Sequence, residues 1–341
     1  MADRFAPRLL NGVFGDPVLF IGFHYERRAI LFDLGQLDRL SVREILKLSD
    51  VFVSHTHIDH FIGFDNLLRF SLNREEELRL FGPPGFINNV RGKLAGYTWN
   101  LIRDYPLVLS VHEIDGVTMR KVKFNAAQDF RLEGESVSPF CGTLLENPGF
   151  RIRAAILDHK TPCLAFSLEE CNRFNVKPDA LQAMGLNSGP WLDELKRMLR
   201  ENYPLETPLQ IPLSSGGSKE HTLKEWLDLL IVESKGQKIV YVVDNQYNPI
   251  NAARILSLAE NADLFYCEAS FSQTEEALAI ERFHLTATQA GILARRAHVA
   301  RLIPFHFSAR YQAEPDRLKE EALKAFSAND NAVPGANVIL L

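Results

Sequence analysis

Short apolar runs alternate with amphipathic stretches along this chain, a pattern that predicts strands alternating with helices. In the first part, the expected strands lie near 18–22, 29–32, 50–53 and 78–81, and the expected helices cover 42–48 and begin after Gly63. In the last part, the expected strands are 239–243, 264–267 and 302–305, and the helices are 251–259 and 287–297. Layers of sheet between layers of helix are therefore expected.

The stretch 169–230 interrupts this alternation, because it is rich in Pro, Gly and Asn and contains a charged helix over 190–200. We interpret 1–341 as a single domain and 169–230 as an insertion within it. The basic residues of this insertion have two interpretations: an arm that holds RNA, or the solvated face of helix 190–200, whose leucines form one apolar stripe. They are Lys177, Lys196, Arg197 and Arg200.

Composition restricts the class of protein. With 341 residues, 46% hydrophobic and 24% charged, the chain is long enough to bury a large core. Its net charge of −5 provides no general attraction for nucleic acid. The four cysteines form no Cys-x-x-Cys pair, the N-terminus does not resemble a signal peptide, and no apolar run approaches the ~20 residues of a membrane span. We expect a cytoplasmic protein without a membrane partner.

Candidate chemistry is densest directly after the predicted strand 50–53. His55, His57, Asp59 and His60 lie within six residues there. Imidazole and carboxylate groups are ligands for zinc and its first-row neighbours. Four such residues cannot all bind one tetrahedral ion that keeps a position open for water, whereas two adjacent ions can share them. The loop therefore predicts a dinuclear hydrolase, although a solvated loop is the alternative.

Three more candidate ligands follow the predicted strands 152–157, 239–243 and 302–305, and layered α/β folds gather their ligands at such strand ends. They are His159, Asp244 and His306. A buried aspartate after an apolar strand requires a partner, and a metal ion would provide one for Asp244. Alternatively, Asp244 caps a turn through Asn245, and the two histidines are ordinary core or loop residues.

The order of these residues resembles that of the metallo-β-lactamase superfamily. Within it, the tail His-Phe-Ser-Ala-Arg-Tyr over 306–311 is similar to the His-Phe-Ser-x-Arg-Tyr signature of the ribonuclease Z family. The resemblance covers most of the chain. It implies an α/β fold, an αββα sandwich in which two mixed sheets lie between helical layers, with an inserted arm-like segment.

The resemblance also implies a ligand set. One ion would be bound by His55, His57 and His159, the other by Asp59, His60 and His306, and Asp244 would bridge them. A hydroxide between the ions would attack phosphorus. Two divalent ions are expected, Zn²⁺ first and Mn²⁺ or Fe²⁺ as alternatives.

The leaving oxygen needs a proton, and the family uses a paired motif that corresponds here to Glu268 and His284. We predict that His284 is the general acid, oriented by Glu268; alternatively, it only precedes a helix that Thr286 and Gln289 cap. The expected catalytic set is Asp59, Glu268 and His284. Asp33 is expected to brace a metal-bound histidine, with a turn aspartate as the alternative.

Phosphate contacts are expected from the residues that follow His306, because a guanidinium can hold two phosphate oxygens. They are Ser308, Arg310 and Tyr311.

Three functions follow. The first is an endoribonuclease like ribonuclease Z, which removes the 3′ trailer from precursor transfer RNA. The second is a hydrolase of the same fold that acts on a small phosphodiester or another ester, because the long basic N-terminal loop of the family has no counterpart in 11–17. The third is a metal-binding protein without turnover. The expected partners are precursor tRNA or a small phosphodiester, and the family also implies a homodimer.

Overall fold

A computed structural model describes residues 4–24, 26–171 and 173–328. Its largest sheet has eight strands in chain order, parallel from the third to the sixth and antiparallel at both sides. These strands are β1 (Phe5–Leu9), β2 (Leu19–Phe23), β3 (Ala29–Phe32), β4 (Leu48–Phe52), β5 (Leu78–Gly82), β6 (Val108–Ile114), β7 (Thr118–Asn125) and β8 (Leu132–Pro139).

A second sheet has six strands in the order β18-β17-β16-β11-β10-β9, with β16, β17 and β18 parallel. Its strands are β9 (Thr143–Asn147), β10 (Phe150–Asp158), β11 (Pro162–Glu170), β16 (Lys238–Val242), β17 (Leu264–Glu268) and β18 (Leu302–Phe305). Two small antiparallel pairs join β12 (Arg173–Val176) to β15 (Ile231–Ser234) and β13 (Pro208–Pro212) to β14 (Ser218–Thr222).

Helices connect these strands. They are α1 (Val42–Ile45), α2 (Ile58–Phe61), α3 (Phe64–Ser71), α4 (Phe86–Ala95), α5 (Pro178–Ala183), α6 (Pro190–Arg200), α7 (Leu223–Leu230), α8 (Pro249–Ala259), α9 (Glu276–Arg282), α10 (Ala287–Arg296) and α11 (Arg317–Ser327). None of the helices in the described ranges is long and apolar enough to cross a membrane.

Aromatic rings join the facing sides of the two large sheets. Phe32 on β3 stacks on Phe166 of β11, with ring centroids 5.2 Å apart, and contacts Tyr241 of β16 at 5.7 Å. Phe52 stacks on Phe81 at 4.8 Å. All five rings are buried. Burial of such rings contributes much of the hydrophobic stabilisation between the layers.

The opposite side of each sheet is covered by helices. Alternate residues of the first sheet, such as Leu31 and Val51, pack in one apolar cluster with Phe64 of α3 and Phe86 of α4. The second sheet packs in the same manner against α8, α10 and α11. Alternation along the strands thus places one set of side chains between the sheets and the other beneath helices.

The chain forms two compact units. The first comprises the described residues within Met1–Leu144, Arg153–Ser167 and Lys238–Leu341, and the second those within Leu145–Ile152 and Leu168–Gln237. The second unit has its own apolar cluster, in which Leu195, Leu223 and Trp226 are fully buried. The second unit is therefore packed around a core of its own.

One predicted element is shorter than expected. The helix predicted over 42–48 begins with a capping box between Ser41 and Glu44 but ends at Ile45. Leu48 is already the first residue of β4, where it pairs with Ala29 of the parallel neighbour β3. Sheet pairing overrides the local helical pattern at this point.

Candidate metal centre

The loop that carries His55 and His57 joins the end of β4 to the short helix α2. His57 occupies the N-cap position of this helix, so Asp59 and His60 lie in its single turn. Gly63, which follows α2, packs closely against the segment that contains Gly35. A Cβ atom at Gly63 would lie 2.1 Å from the carbonyl oxygen of Gly35. A side chain at residue 63 would therefore displace the helix that positions Asp59 and His60.

Asp33 braces this loop from the end of β3. Its carboxylate accepts hydrogen bonds from the Ser54 amide at 2.6 Å and from the Tyr241 hydroxyl at 2.8 Å. Asp33 Oδ2 also lies 2.9 Å from Nδ1 of His60. A carboxylate partner on one ring nitrogen fixes the orientation of the imidazole and leaves Nε2 for a ligand.

The remaining candidate ligands follow strands of the second sheet. His159 comes after β10, Asp244 lies two residues beyond β16, and His306 follows β18. Asp244 and His306 have positive φ values of 39° and 55°, as does Asp33 at 61°. Such backbone conformations are unfavourable for residues other than glycine and concentrate at functional sites.

These side chains meet in two groups, and Asp244 approaches both. In the first group, ligand atoms of His55, His57, His159 and Asp244 lie within 4.8 Å of one another. Asp244 Oδ2 is 3.4 Å from His55 Nε2 and 3.5 Å from His159 Nε2. His159 is oriented by a hydrogen bond from Nδ1 to the Phe283 carbonyl oxygen at 2.7 Å.

The second group contains Asp59, His60 and His306. Asp59 Oδ2 lies 3.4 Å from His60 Nε2 and 3.5 Å from His306 Nε2. Asp244 reaches this group too, with Oδ2 3.3 Å from His60 Nε2 and Oδ1 2.8 Å from His306 Nδ1. We name the seven residues of both groups the metal centre.

Polar atoms in the metal centre lack hydrogen bonds to other described residues. The buried atoms are His55 Nε2, His60 Nε2, His306 Nδ1 and Asp244 Oδ1. The last two lie 2.8 Å apart. An unpaired buried polar atom is costly, whereas imidazole nitrogen and carboxylate oxygen are the donors that bind divalent metal ions. The donor set therefore fits divalent metal ions.

Two of the three histidines in the first group, His55 and His57, have a lowered pKa. Burial lowers the pKa of His55 to about 2, with the charge of His60 adding to the effect. Burial and the neighbouring His159 lower the pKa of His57. The metal-free protein therefore keeps these two imidazoles neutral at pH 7, which is the form that binds metal.

In the second group, nearby carboxylates raise the pKa of the histidines although burial opposes this. Burial alone would lower the pKa of His60 and His306, but Asp244 outweighs it and raises the pKa of His306 to about 10. Burial alone would raise the pKa of Asp244, but these histidines hold it well below its usual value. In the metal-free protein these residues are ion pairs, so binding of a cation displaces protons here.

Glu268 and His284 form a pair beside the metal centre. His284 Nδ1 lies 2.8 Å from Glu268 Oε2, and Glu268 Oε1 accepts a hydrogen bond from the Asn245 amide at 2.7 Å. Burial lowers the pKa of His284, but Glu268 and Asp244 raise it above its ordinary value overall. Asp244, Glu268, His284 and His306 also bring ligand atoms within 4.8 Å, so this group is a further candidate cluster.

One pocket of about 380 Å³ opens at the metal centre. Its lining includes the predicted residues His57, Asp59, His159, Asp244, His284, His306 and Ser308. Arg310 and Tyr311 do not line it: both contact Glu275, and the buried Tyr311 hydroxyl also accepts a hydrogen bond from the Ser272 amide at 3.1 Å. Of the three predicted phosphate contacts, the pocket contains Ser308.

Sequence analysis missed several residues that orient this centre. Ser54 and Tyr241 hold Asp33, and Ser270 Oγ lies 2.7 Å from both Glu268 Oε2 and the His306 carbonyl oxygen. Ser54 has a local signal, since it directly precedes His55. Tyr241 has none, because its partner Asp33 is 208 residues away in the sequence.

Solved structures define the class of this fold. Human tRNase Z, short form, superimposes with a TM-score of 0.52 at 16% identity, over 90% of this chain and 91% of that chain. The metallo-β-lactamase fold protein YhfI from Bacillus subtilis gives 0.52 at 15% identity, over 94% and 92%. The chain therefore has the metallo-β-lactamase fold, and the predicted sandwich of two mixed sheets between helices is confirmed.

Sequence relatives define the family. Ribonuclease Z from Deinococcus radiodurans is 31% identical over 287 residues, 83% of each chain. Ribonuclease Z from Treponema denticola is 28% identical over 290 residues, 82% of this chain and 78% of that protein. No family model matches the chain. The chain belongs to the ribonuclease Z family, which confirms the resemblance and the prediction of a metal-dependent hydrolase.

Proposed function

We propose that this protein is an endoribonuclease that removes the 3′ trailer from precursor transfer RNA. Membership of the ribonuclease Z family supports this activity. The observation that carries the proposal is the pocket in which metal-centre residues and His284 face one space. The relatives do not favour the alternative, a hydrolase of small phosphodiesters or other esters.

The metal centre would hold two divalent ions. His55, His57 and His159 would bind one, Asp59, His60 and His306 the other, and Asp244 would bridge them, as their two groups suggest. When bound, such ions lower the pKa of a coordinated water and neutralise charge on phosphoryl oxygens. We propose zinc, because it binds readily to sets of a few imidazole nitrogen and carboxylate oxygen donors. Mn²⁺ and Fe²⁺ accept the same donors and are the alternatives.

His284 would supply the proton that the leaving 3′ oxygen requires. Glu268 holds its Nδ1, so Nε2 is the nitrogen that remains for the substrate, and His284 lines the pocket. Glu268 also raises the pKa of His284, which favours the protonated ring. A carboxylate that fixes the tautomer and supports the charged form is the usual partner of a histidine acid.

Ser308 is our candidate for contact with a phosphoryl oxygen, because it lines the same pocket. For Arg310, phosphate contact would require exchange of its present partner Glu275. Its side chain is 44% exposed, so such an exchange would cost little. Arg310 and Tyr311 therefore stay predictions as phosphate ligands.

The decisive experiment compares cleavage of a 3′-extended precursor tRNA with hydrolysis of bis(p-nitrophenyl) phosphate. Metal-loaded protein should cut the RNA at the trailer junction. Asp244→Ala should lose this cleavage, because Asp244 contacts both groups of the metal centre. Hydrolysis of the small diester without RNA cleavage would contradict the proposal and support the alternative.

Four further expectations stay proposals of their own. Metal analysis of the purified protein would test the two zinc ions. Sedimentation would test a homodimer. Fractionation of cells would test a cytoplasmic location. Similarly, limited proteolysis would test whether 169–230 is an insertion within one domain, since a single domain should resist cleavage on both sides of it.

A further inference from the structure

A second pocket adjoins the metal centre. It has a volume of about 440 Å³ and shares His57 and His159 with the first pocket. Its other lining residues come from the β10–β11 loop and from the end of α9: Lys160, Thr161, Glu281, Arg282 and Phe283. Because both pockets use the same two histidines, one extended ligand can enter both.

Two cations line this second pocket. The Lys160 ammonium lies 4.7 Å from the centre of the Phe283 ring and forms no ion pair with any described residue. Arg282 has a loose contact with Glu281, with Nε and Oε1 3.7 Å apart and side chains 65% and 68% exposed. An exposed pair of this kind contributes little stability and exchanges readily for a phosphate. Two cations and one carboxylate line the pocket, so its lining residues carry a net positive charge.

The backbone on both sides of this pocket is strained and tied to the metal centre. Lys160 and Phe283 have positive φ values of 58° and 60°. The Phe283 carbonyl accepts the hydrogen bond that orients His159, and the Lys160 amide donates to Asp158 at 3.0 Å. Strain of this kind in non-glycine residues persists where the surroundings fix it, often at binding sites. The conformation that orients His159 therefore also fixes Lys160 and Phe283 beside it.

We propose that this pocket binds the phosphate of a nucleotide next to the cleaved bond, with Lys160 and Arg282 as its ligands. The Phe283 ring gives the sugar or base an apolar surface. The inference rests on the proposed function, since it assumes a polynucleotide substrate. It also explains how a chain of net charge −5 binds RNA, because the positive charge is local to the site.

The test measures binding of a fluorescent precursor tRNA by anisotropy. The RNA carries a phosphorothioate at the junction to slow cleavage, and the protein is metal-loaded. Lys160→Glu/Arg282→Glu is compared with Lys319→Glu/Arg43→Glu, an equal change of charge at exposed residues outside both pockets. We expect about tenfold weaker binding by the first pair only, and a salt slope smaller by about 1. Turnover of bis(p-nitrophenyl) phosphate, which has no second phosphate, should fall less than RNA binding does.

Several outcomes separate the inference from the proposed function. Equal RNA affinity and equal salt slope in the two double variants would overturn the inference, even if the protein cleaves precursor tRNA. A matching loss of diester turnover would also overturn it, since the residues would then serve the metal centre. Selective loss of binding by a protein that does not cleave RNA would support the subsite and refute the proposed function. If the unsubstituted protein binds no RNA, both proposals fail.

Discussion

Buried nitrogen and oxygen atoms face one another in the metal centre, whereas the apolar cluster of the second unit buries hydrocarbon. Asp244 and His60 are nearly inaccessible, yet each has an atom without a hydrogen bond in the described structure. In the second unit, the buried Trp226 donates its ring N–H to the Leu209 carbonyl at 2.8 Å. The exposed Arg197 pairs with Glu194 and Glu201.

The difference reflects what each region is for. Unpaired buried polar atoms cost folding free energy, and a bound metal ion would offset this cost in the metal centre. A satisfied apolar core contributes stability and leaves no atom free to bind anything. Substitutions in the metal centre should therefore affect metal and turnover, and substitutions in the second unit should affect unfolding.

The largest effect is expected at His284. We predict that His284→Ala lowers turnover of RNA by about 10²–10⁴-fold, the usual contribution of a general acid, with the metal content unchanged. Because the acid must be protonated, activity of the parent should fall as the pH rises above the His284 pKa, and the variant should lose this dependence. Steady-state kinetics across a pH series would measure the turnover and its pH dependence, and metal analysis would measure the metal content. His298→Ala, at an exposed histidine, is the control.

His284 also lies in a candidate ligand cluster with Asp244, Glu268 and His306. Loss of one metal equivalent in His284→Ala would make this residue a ligand and contradict its role as an acid. Full turnover with both metals would contradict either role.

Trp226→Ala should change the stability of the protein and leave its turnover unchanged. Removal of this fully buried ring leaves a cavity and should lower the free energy of unfolding by about 3–5 kcal/mol. Trp226→Phe should lose much less, since it keeps most of the volume. Urea unfolding measures the change. Turnover of bis(p-nitrophenyl) phosphate in the folded protein should be unaffected, because all residues lining the metal-centre pocket belong to the first unit. A large loss of turnover would contradict this separation.

His112 shows what a buried histidine does away from the metal centre. It stacks on Phe81 at 4.4 Å, and burial lowers its pKa to about 4. An unfolded histidine has a pKa of about 6.5. The unfolded chain therefore gains a proton first as the pH falls, and stability should decline between about pH 6.5 and 4, by up to about 3 kcal/mol.

Unfolding by urea from pH 4.5 to 7.5 would measure this decline in the parent and in His112→Phe, which retains a ring beside Phe81. The difference between the two proteins isolates His112 from the metal-centre histidines. If the difference in unfolding free energy between the two proteins does not change with pH, His112 has the same pKa in the folded and unfolded states, and the prediction is wrong.

Asp33→Asn should weaken metal binding by about 10–100-fold, the usual effect of losing a carboxylate behind a metal-bound histidine. The amide keeps the shape but not the charge that faces His60 Nδ1 at 2.9 Å. Competition with a metal chelator would measure it, and Asp38→Asn at an exposed position provides the control. Unchanged affinity would make Asp33 a turn residue only.

The smallest effect is expected at Arg197. Exposed ion pairs contribute about 0–1 kcal/mol, so Arg197→Ala should barely change the free energy of unfolding. Because its guanidinium is engaged by Glu194 and Glu201, RNA affinity should change by less than about twofold. A loss of RNA affinity comparable to that expected for Lys160 and Arg282 would favour an RNA-holding arm over a solvated helix face.

Local signals in the sequence were sufficient for much of the fold. Alternation and apolar runs predicted the strands that carry the ligands, and β3 and β18 have the predicted bounds. The Thr286–Gln289 capping box begins α10, and α6 covers the predicted 190–200. Such signals depend on neighbours within a few residues, so the sequence alone contains them. Strands β7 and β8 were not predicted, because their polar residues face solvent on an extension of the sheet.

The sequence by itself determined which residues could bind metal, since His55, His57, Asp59 and His60 adjoin one another and resemble a known motif. Only the tertiary structure decided which atoms meet. Asp244 faces both histidine groups, Tyr241 reaches Asp33, and Glu275 engages Arg310 and Tyr311 outside the pocket. These partners are far apart in the chain, and their contact depends on how the two sheets pack, which no local pattern encodes.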